Sequence, residues 1–412
     1  MLVLKLAWRN LLRNRRRTLI TIFSIASGCA LSFFFFAFQA GVHKKTIDDA
    51  TRMLAGQITV EHPQYRDAPK PSLFVPSVAK VKTVAEKMPD VELVKPLCLG
   101  NGVVSSAAGG IGIGFLGVEP DREKELSQIA RSIVKGRFLE SSDVDIKGVV
   151  IGERLADRLH VDVGNKLVLT TTNAQGDVVE ELLRVVGIFK LGSATMDGAL
   201  IELPIAVVRR VMGLTEDQAT QVGLVLKRPE AQAMVLAETK RALAGENLAV
   251  HPWETLLPAI ATWVSAGDRA NQVMCGVVLF LASFAILNTI LMSVIERKRE
   301  FAMLLALGTP PQLLRIQVFV ETLMLGVLGS GIGLALGASF AYAGQKNGID
   351  MSDSGAAGTV GGMALDPHVR PALSTEDAVF VAVVVLVVTT LIAIYPTLRS
   401  SRVDVANTLR SQ

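Results

Sequence analysis

The sequence is poor in charge, in aromatic side chains and in cysteine. Only 19% of its 412 residues are charged and 5% are aromatic, whereas 50% are hydrophobic and the mean hydropathy is +0.42. This composition is too apolar for an ordinary water-soluble domain and not apolar enough for a chain that lies wholly in lipid. We therefore expect membrane-spanning segments joined to at least one domain outside the bilayer.

The scarcity of cysteine and histidine excludes two kinds of site. Cys29 and Cys275 lie in long apolar segments, which leaves Cys98 without a disulfide partner in the region between those segments. The five histidines are too far apart to suggest a helical pair of metal ligands, so we expect no metal site. No order of Ser, His and Asp indicates a nucleophilic catalyst, and we expect neither catalytic residues nor a nucleic-acid partner.

The chain contains no Gly-Lys dipeptide, so a P-loop of the form GxxxxGK[ST] cannot be present in it. The glycines of "GGIGIG" (109–114) lack the spacing and the following helix of a phosphate-binding loop. We interpret them as a tight, buried strand. The chain is expected to hold no cofactor of its own, and any ATP-driven work would need a separate ATPase.

Four long segments contain no charged residue. They are Thr18–Val42, Ala270–Ile295, Thr322–Gln345 and Ala378–Leu398. Each reaches the roughly 20 residues that a helix needs to cross about 30 Å of hydrocarbon. We predict transmembrane helices at 18–42, 270–295, 312–345 and 377–398. The first is expected to be retained, because its apolar run is too long for a cleaved signal peptide.

Basic residues collect on one side of these spans. They crowd residues 1–17, the segment 296–311 and the tail 399–412, whereas the loop 346–376 has more acids than bases. The positive-inside rule then places both termini in the cytoplasm and residues 43–269 outside, which in the inner membrane of a Gram-negative bacterium means the periplasm. Residues 1–17 also carry apolar side chains at helical spacing, including Trp8. This pattern predicts an amphipathic helix on the membrane surface, with its cations toward anionic lipid.

Residues 43–269 are long enough for one or two compact domains. A helix from His43 to about Leu54 is predicted to extend the first span as a stalk. "QITVEH" and "ELLRVVGIFK" have the pattern of strands, "SVAKVKTVAEKMPDV" that of a helix, and "GVVIGERLADRLHVDVGNKLVLTT" that of strand, helix, turn and strand. We predict an α+β periplasmic domain, richer in strands near residues 130–215, between the first and second of four transmembrane helices.

Small residues recur every fourth position in two of the spans. The third span has Gly329, Gly333 and Gly337, and the first has Ser24, Gly28 and Ser32. In lipid, such residues let helix backbones approach closely, so a tightly packed bundle or a dimer is expected.

Two polar residues in the spans also suggest specific contacts. Glu321 lies near the cytoplasmic end of the third span, where we expect it to reach the interface or to pair with Arg315. Asn288 in the second span is expected to form an interhelical hydrogen bond.

Four segments together resemble a known family. "NTILMSVIERKREFAMLLALG" (288–308) and "ETLMLGVLGSGIGLALG" (321–337) resemble the FtsX-like permease domain of type VII ABC transporters. "RNLLRNRRRTLITI" (9–22) is similar to the family's N-terminal approach to its first span, and "YPTLRSSRVDVANTLR" (395–410) to its C-terminal signature. The order of one span, a large external domain and three spans also matches, so the resemblance covers the whole chain.

The resemblance implies a mechanical function. Two permeases, identical or related, would stand on ATPase subunits that bind ATP and Mg, and ATP hydrolysis would move the loop 296–311 and, through the stalks, the periplasmic domains. The chain itself would be a transporter subunit and not an enzyme. Seven residues match the helix that couples such permeases to the ATPase: Arg299, Glu300, Met303, Leu304, Ala306, Leu307 and Gly308. The charges would set the register and the apolar side chains would supply buried contact area.

The external segments indicate a substrate class. "GQITVEHPQY", "GVEPDRE" and "RVVGIFKLGSATMDGALIELP" look similar to the periplasmic domain of lipoprotein-releasing (Lol-type) permeases, which are related to the MacB-like permeases. This resemblance implies a MacB-like periplasmic core that extracts lipoproteins, or a related amphiphile, from the inner membrane and passes them to a periplasmic carrier. Two alternatives stay open: MacB-like efflux of periplasmic substrates, and activation of a periplasmic partner such as a cell-wall hydrolase.

A run of phenylalanines in the outer half of the first span is a candidate substrate cavity. It comprises Phe33, Phe34, Phe35, Phe36 and Phe38. These rings would either line a space for acyl chains or face bulk lipid.

Overall fold

The computed structural model describes residues 2–13, 15–54, 56–351, 359–360, 363–364, 366 and 368–400. Residues 401–412 of the predicted tail, with Arg402 and Arg410, lie outside this part of the chain, as do several residues of the predicted loop 346–376. The chain divides into two compact units. The helical unit comprises residues 1–44, 264–353 and 367–412, and the α+β unit comprises residues 45–263 and 354–366.

The helices of the described residues, in chain order, are α1 Leu2–Arg13, α2 Arg15–Met53, α3 Val78–Ala85, α4 Pro120–Leu126, α5 Gln128–Arg131, α6 Asp143–Ile146, α7 Glu153–Leu159, α8 Ala194–Ala199, α9 Ile205–Met212, α10 Gln232–Ala242, α11 Trp253–Leu256, α12 Pro258–Glu296, α13 Lys298–Ala306, α14 Pro311–Asn347 and α15 Thr375–Ser400. The strands, over the same residues, are β1 Ile58–Glu61, β2 Val91–Ser106, β3 Gly109–Val118, β4 Ile133–Gly136, β5 Gly148–Gly152, β6 Lys166–Thr172, β7 Val178–Phe189, β8 Leu200–Pro204, β9 Gln221–Leu226, β10 Ala249–Pro252, β11 Ile349–Asp350, β12 Thr359–Val360, β13 Met363–Ala364 and β14 His368–Val369.

Four of these helices, α2, α12, α14 and α15, are long and apolar enough to cross a membrane, which confirms the four predicted membrane-spanning helices. All four continue beyond the uncharged segments, and three do so by many residues: α2 and α12 have 39 residues each, and α14 has 37. At 1.5 Å per residue, α2 is about 58 Å long, well beyond the ~30 Å of a hydrocarbon core. Its last turns, up to Met53, confirm the predicted stalk helix. Gly56 follows with a φ of +74°, which glycine adopts without strain.

The helical unit is held together by one cluster of buried apolar side chains. Its members include Ile25, Cys29 and Phe33 of α2, Ile286 and Ile290 of α12, Val318 and Leu325 of α14, and Val381 and Val385 of α15. The predicted helix in residues 1–17 is present as α1, which packs into this cluster through Leu11 and leaves Trp8 and Leu12 exposed. Apolar side chains therefore lie on two sides of α1: one side packs against the helical unit and the other is exposed.

Strand β2 organises the α+β unit, because its two halves pair with different partners. Residues 91–97 of β2 pair with β9, in the order β10-β1-β9-β2, and residues 98–106 pair antiparallel with β3. The parallel pairs within the described sheet are β3 with β8 and β5 with β7. The result is a sheet of ten strands among the described residues, with helices packed on it.

The second half of β2 belongs to a closed ring of strands. The pairs β2-β3, β3-β8, β8-β5, β5-β7, β7-β6 and β6-β2 connect six strands without a free edge. Closure into a barrel removes unpaired strand edges and encloses a core. Buried side chains such as Val104, Phe115, Ile151, Leu169 and Leu183 fill it. The predicted α+β domain is thus confirmed, as is its strand-rich part near residues 130–215.

The structure corrects one local interpretation and adds strands that were not predicted, of which β2 is the longest. "GGIGIG" is indeed strand β3, but its first residues, Gly109 to Gly112, are largely exposed rather than buried. No local pattern predicts β2, because Pro96, Gly100 and Gly102 interrupt its alternation and are poor strand residues. Gly100 is required by packing: a Cβ there would lie 2.4 Å from the ring of Phe115.

Candidate functional site

Helix α13 lies between two membrane-spanning helices and carries the residues predicted to couple to an ATPase. It ends in a left-handed turn at Gly308, whose φ is +90°. The backbone N–H of Thr309 donates to the carbonyl of Leu304, and that of Gly308 donates to the carbonyl of Leu305, both at 3.0 Å. This pair of bonds is the Schellman motif, and the following Pro310 and Pro311 start a new helix. Gly308 therefore acts through the backbone, as the residue that ends α13.

The outer face of α13 is apolar and exposed. Leu307 is 83% exposed, Met303 51% and Leu304 37%, while Phe301 and Ala302 on the other side of the helix are buried. We call the exposed residues Arg299, Met303, Leu304, Ala306 and Leu307 the α13 patch. Exposed apolar side chains grouped on one short helix are typical of an interaction surface.

The inner face of α13 is fixed by charge. Arg297, which precedes the helix, donates to Glu300 at 3.1 Å and to Glu321 of α14 at 3.2 Å. Its guanidinium also lies over the ring of Phe301, 5.1 Å from the centroid, as in a cation–π contact. The partner of Glu321 in this structure is thus Arg297, where the sequence suggested Arg315 as one option. A cavity of about 20 Å³, enough for one water molecule, lies among Arg297, Glu321 and neighbouring side chains.

Two further ion pairs tie α13 and the end of α12 to the start of the chain. Arg13 of α1 donates to Glu300 at 2.6 Å, and Arg17 of α2 donates to Glu296 at 2.7 Å. Although partial burial acts to raise it, the hydrogen bonds from Arg13 and Arg297 hold the pKa of Glu300 below its usual value. The Glu300 carboxylate therefore forms intramolecular ion pairs, with Arg13 and Arg297 as its partners. We refer to the pairs of Glu296 and Glu300 with Arg13, Arg17 and Arg297 as the strap.

The glycine ladder of α14 meets α2 of the same chain. A Cβ on Gly329 would lie 2.6 Å from Ile25, one on Gly333 2.6 Å from the carbonyl oxygen of Ala26, and one on Gly337 2.8 Å from that of Ala30. Distances this short exclude any side chain, so the two backbones are in direct contact. Gly28, from the ladder of the first span, faces α12, where a Cβ would make an ordinary contact of 3.5 Å with Ala282.

The five phenylalanines of the first span point to different sides of α2. Phe33 and Phe36 are buried in the helical unit, where the Phe36 ring lies 5.6 Å from that of Phe380. Phe34 and Phe38 stack on each other at 6.4 Å and are half-buried, and Phe35 is exposed. The structure therefore does not bring all five to one surface. Asn288 is exposed, and no interhelical hydrogen bond of its side chain occurs within the described residues, contrary to expectation.

The end of α2 is anchored in the α+β unit by a buried lysine that sequence reasoning missed. Nζ of Lys95, on β2, donates to the carbonyls of Arg52 and Met53 at 2.7 and 3.0 Å and to Glu123 at 2.8 Å. Both side chains of the ion pair are almost completely buried. Lys95 thus satisfies carbonyl groups that a helix end leaves without intrahelical partners. We call these contacts the stalk clamp.

Glu202 on β8 lies near the stalk clamp and has a different environment. It is fully buried, and neither carboxylate oxygen has a hydrogen-bond partner within the described residues. Burial raises the pKa of Glu202 well above its usual value, the charge of Glu123 raises it further, and Lys95 acts in the opposite direction. The buried environment therefore favours the protonated form of Glu202. Among the described residues no group of His, Cys, Asp and Glu has the arrangement of a metal site.

Comparisons with known proteins match both units. The model of the MacB-like periplasmic core domain matches residues 18–242, and that of the FtsX-like permease C-terminal region matches residues 273–405. An uncharacterized ABC transporter permease of Methanocaldococcus jannaschii is 23% identical over 343 residues, 81% of this chain and 82% of its own. The lipoprotein-releasing system transmembrane protein LolC of Xylella fastidiosa is 22% identical over 303 residues, 71% of this chain and 72% of its own.

A solved structure also matches the chain, at a lower level. The periplasmic region of MacB from Actinobacillus actinomycetemcomitans covers 50% of this chain and 92% of its own, with 13% identity and a TM-score of 0.36.

Proposed function

Because the chain belongs to the FtsX-like permeases that carry a MacB-like periplasmic core domain, we propose that it is the inner-membrane subunit of an ABC transporter in which a separate ATPase drives extraction of lipoproteins or a related amphiphile. ATP and Mg belong to that ATPase in this proposal. A second permease, identical or related, completes the complex.

The proposal places α13 and both termini in the cytoplasm. The strap arginines and their neighbours form a strongly basic end of the helical unit, and basic residues favour the cytoplasmic side of a membrane. The α13 patch then faces the compartment in which ATP is available.

The observation that carries the proposal is the exposed apolar α13 patch on a helix whose inner face is fixed. Leu307, Met303 and Leu304 offer area that an ATPase groove can bury, and Arg299 offers a charge at its edge. The strap ties α13 to α1 and the end of α12 to α2, and Arg297 also pairs with Glu321 of α14. A force on the patch therefore reaches the membrane-spanning helices rather than only bending a loop.

The same motion would reach the α+β unit along α2. This helix is continuous from Arg15 to Met53, and its last carbonyls are held by the stalk clamp. A continuous helix with a fixed end transmits displacement with little loss. Mechanotransmission of this kind needs no passage of the substrate through the membrane.

The choice of lipoproteins as substrate is supported by relatives whose names state that activity, at 22% to 25% identity. A periplasmic lipoprotein carrier would receive the substrate. The match to the MacB-like core domain favours one other candidate, efflux of periplasmic substrates.

The coupling part of the proposal is tested by the double variant Met303→Ser/Leu307→Ser. Both side chains are exposed, so we expect the fold to persist while copurification with the ATPase falls at least about tenfold, as for loss of an interface hot spot. Val178→Ser, an equally exposed apolar residue of β7, serves as the control. Undiminished association and ATP-dependent activity in the double variant would refute this part.

The substrate part is tested by depleting the protein and fractionating lipoproteins between the inner and outer membranes. Accumulation in the inner membrane supports lipoprotein extraction. Normal distribution, together with greater sensitivity to exported toxic compounds, supports efflux instead.

A further inference from the structure

A second site lies at the basic end of the helical unit, beside the strap. An open cavity of about 650 Å³ is formed between the start of α2 and the last turns of α12. Its polar wall includes Arg13, Arg15, Arg16 and Arg17. Such a concentration of guanidinium groups around a cavity is unusual, because four like charges repel one another unless an anion lies between them.

The acidic residues nearby neutralise only part of this charge. Arg13 and Arg17 are paired with Glu300 and Glu296 at 2.6 and 2.7 Å, and Glu296 also lines the cavity. Arg15 and Arg16 are exposed, and neither has an acidic partner among the described residues. Two positive charges at the mouth of the cavity are therefore uncompensated within the described part of the chain.

The rest of the wall is apolar and belongs to membrane-spanning helices. Ile20 of α2 and Met292 of α12 line the cavity and are exposed, and Asn288 adds an exposed amide that has no partner within the described part of the chain. The cavity thus joins a cationic mouth to an apolar wall. A ligand that satisfies both parts has an anionic head and a hydrocarbon tail.

We propose that this cavity binds an anionic phospholipid, with its phosphodiester between Arg15 and Arg16 and an acyl chain along Ile20 and Met292. Guanidinium groups bind phosphate oxygens in pairs of parallel hydrogen bonds, and the interface of a bilayer screens this attraction less than bulk water does. Basic pockets between membrane-spanning helices suit such headgroups on general electrostatic grounds. A free phosphate ion would leave the apolar wall without a partner, so the lipid is the better fit.

The test measures lipid binding by the purified full-length chain in mixed micelles, using native mass spectrometry to obtain the Kd of phosphatidylglycerol and of neutral phosphatidylcholine. Arg15→Ala/Arg16→Ala is expected to weaken phosphatidylglycerol binding about tenfold or more, since each basic residue near an anionic headgroup contributes on the order of a factor of five. Phosphatidylcholine binding is expected to stay unchanged. The phosphatidylglycerol affinity of Arg15→Lys/Arg16→Lys is expected to lie between those of the unsubstituted chain and Arg15→Ala/Arg16→Ala, because lysine keeps the charge and loses the paired hydrogen bonds.

Arg9→Ala/Lys298→Ala is the matched control, since it removes two exposed charges from the same end of the molecule but outside the cavity wall. Because Arg15 and Arg16 are exposed, all variants are expected to melt at the same temperature as the unsubstituted chain. Unchanged phosphatidylglycerol binding by Arg15→Ala/Arg16→Ala would overturn the proposal. If Arg9→Ala/Lys298→Ala weakened phosphatidylglycerol binding as much as Arg15→Ala/Arg16→Ala does, the effect would be one of overall charge, and the proposed site would be overturned. The assignment to lipid would be overturned by two results together: inorganic phosphate binds and Arg15→Ala/Arg16→Ala abolishes that binding, while the unsubstituted chain shows no preference for phosphatidylglycerol over phosphatidylcholine.

Discussion

Nη2 of Arg13 lies 2.6 Å from Oε1 of Glu300, and this contact joins two residues that are 287 positions apart in the chain. It brings the helix before the first span against α13, the helix between the second and third. Arg297 donates to the same carboxylate. The charged run that begins at Glu296 is thus divided: Glu296, Arg297 and Glu300 stabilise the helical unit internally, while Lys298 and Arg299 remain exposed.

The strap should depend on pH through Glu300. Because its pKa is lowered in the folded state, its contribution is complete above the ordinary value near 4.5 and is lost as the pH falls through the lower folded-state value. Glu300→Gln should therefore melt at a lower temperature than the unsubstituted chain at neutral pH, and the difference should vanish in acid. We expect a small effect, below about 1 kcal/mol, because the pair is partly exposed.

Thermal melting of the purified chain in detergent, from neutral to acidic pH, measures this effect. Glu86→Gln, at an exposed glutamate of the α+β unit, is the control and should show no such pH dependence. A Glu300→Gln deficit that persists or grows in acid would contradict the assignment.

The strap also shows what the sequence could and could not predict. The spans and α13 follow from local patterns, namely long uncharged runs and a short helix between them, and both were predictable. Which charges turn inward was not, because Arg13 and Arg297 find their partners through the packing of helices distant in sequence. Glu321 illustrates this point: its nearest base along the chain, Arg315, was the natural candidate, and Arg297 occupies the position.

The α+β unit was predictable in the same limited sense. Strands with regular alternation were found, whereas β2 was missed because Pro96 and the glycines after it mask the pattern. The closed ring depends on β2 and β6 meeting across more than sixty residues of chain, which no local signal records. Lys95 and Glu202 look like ordinary charged residues in the sequence, and only the fold shows that they are buried.

Gly333 should not tolerate even one added methyl group. A Cβ there would lie 2.6 Å from both the carbonyl oxygen of Ala26 and Cβ of Cys29, so α2 and α14 would have to separate. We expect Gly333→Ala to destabilise the helical unit by about 1–3 kcal/mol, as overpacking usually does. Thermal melting in detergent measures the loss.

Gly331, two residues earlier in the same helix, provides a matched control. A Cβ at that position has no neighbour within 4 Å, so Gly331→Ala should be neutral or slightly stabilising. Equal melting temperatures for the two variants would show that α2 and α14 are not in the close contact described.

The stalk clamp should be one of the most sensitive points of the α+β unit. Lys95→Met leaves Glu123 buried without its cation and the last carbonyls of α2 without a donor. Removing one partner of a buried ion pair typically costs about 3–5 kcal/mol. Denaturant unfolding of the purified chain should show a loss of that size, and Lys95→Met/Glu123→Leu should recover a large part of it.

Lys80→Met is the control for the clamp, since Lys80 pairs with Glu246 at the surface of the same unit. Exposed pairs contribute about 0–1 kcal/mol, so this variant should unfold almost as the unsubstituted chain does. If Lys95→Met were no worse than Lys80→Met, the buried contacts of Lys95 would not anchor α2.

Glu202 should make the α+β unit less stable as the pH rises. Its folded-state pKa is raised by burial and by Glu123, and Lys95 opposes this shift. Below the ordinary pKa near 4.5, the Glu202 carboxyl is neutral in both the folded and the unfolded chain, so it does not change the free energy of unfolding. As the pH rises toward the folded-state pKa, only the unfolded chain ionises, and folding loses about 1.4 kcal/mol per pH unit from this group. Glu202→Met cannot ionise, so its stability advantage should grow with pH over that window and then level off.

Denaturant unfolding at a series of pH values measures this advantage. Glu180→Met, the same change at an exposed residue of β7, is the control, and its free energy of unfolding should differ from that of the unsubstituted chain by an amount that does not change with pH. An advantage of Glu202→Met that does not change with pH would mean that Glu202 ionises in the folded protein, and a charged partner for it would then have to exist in the native state.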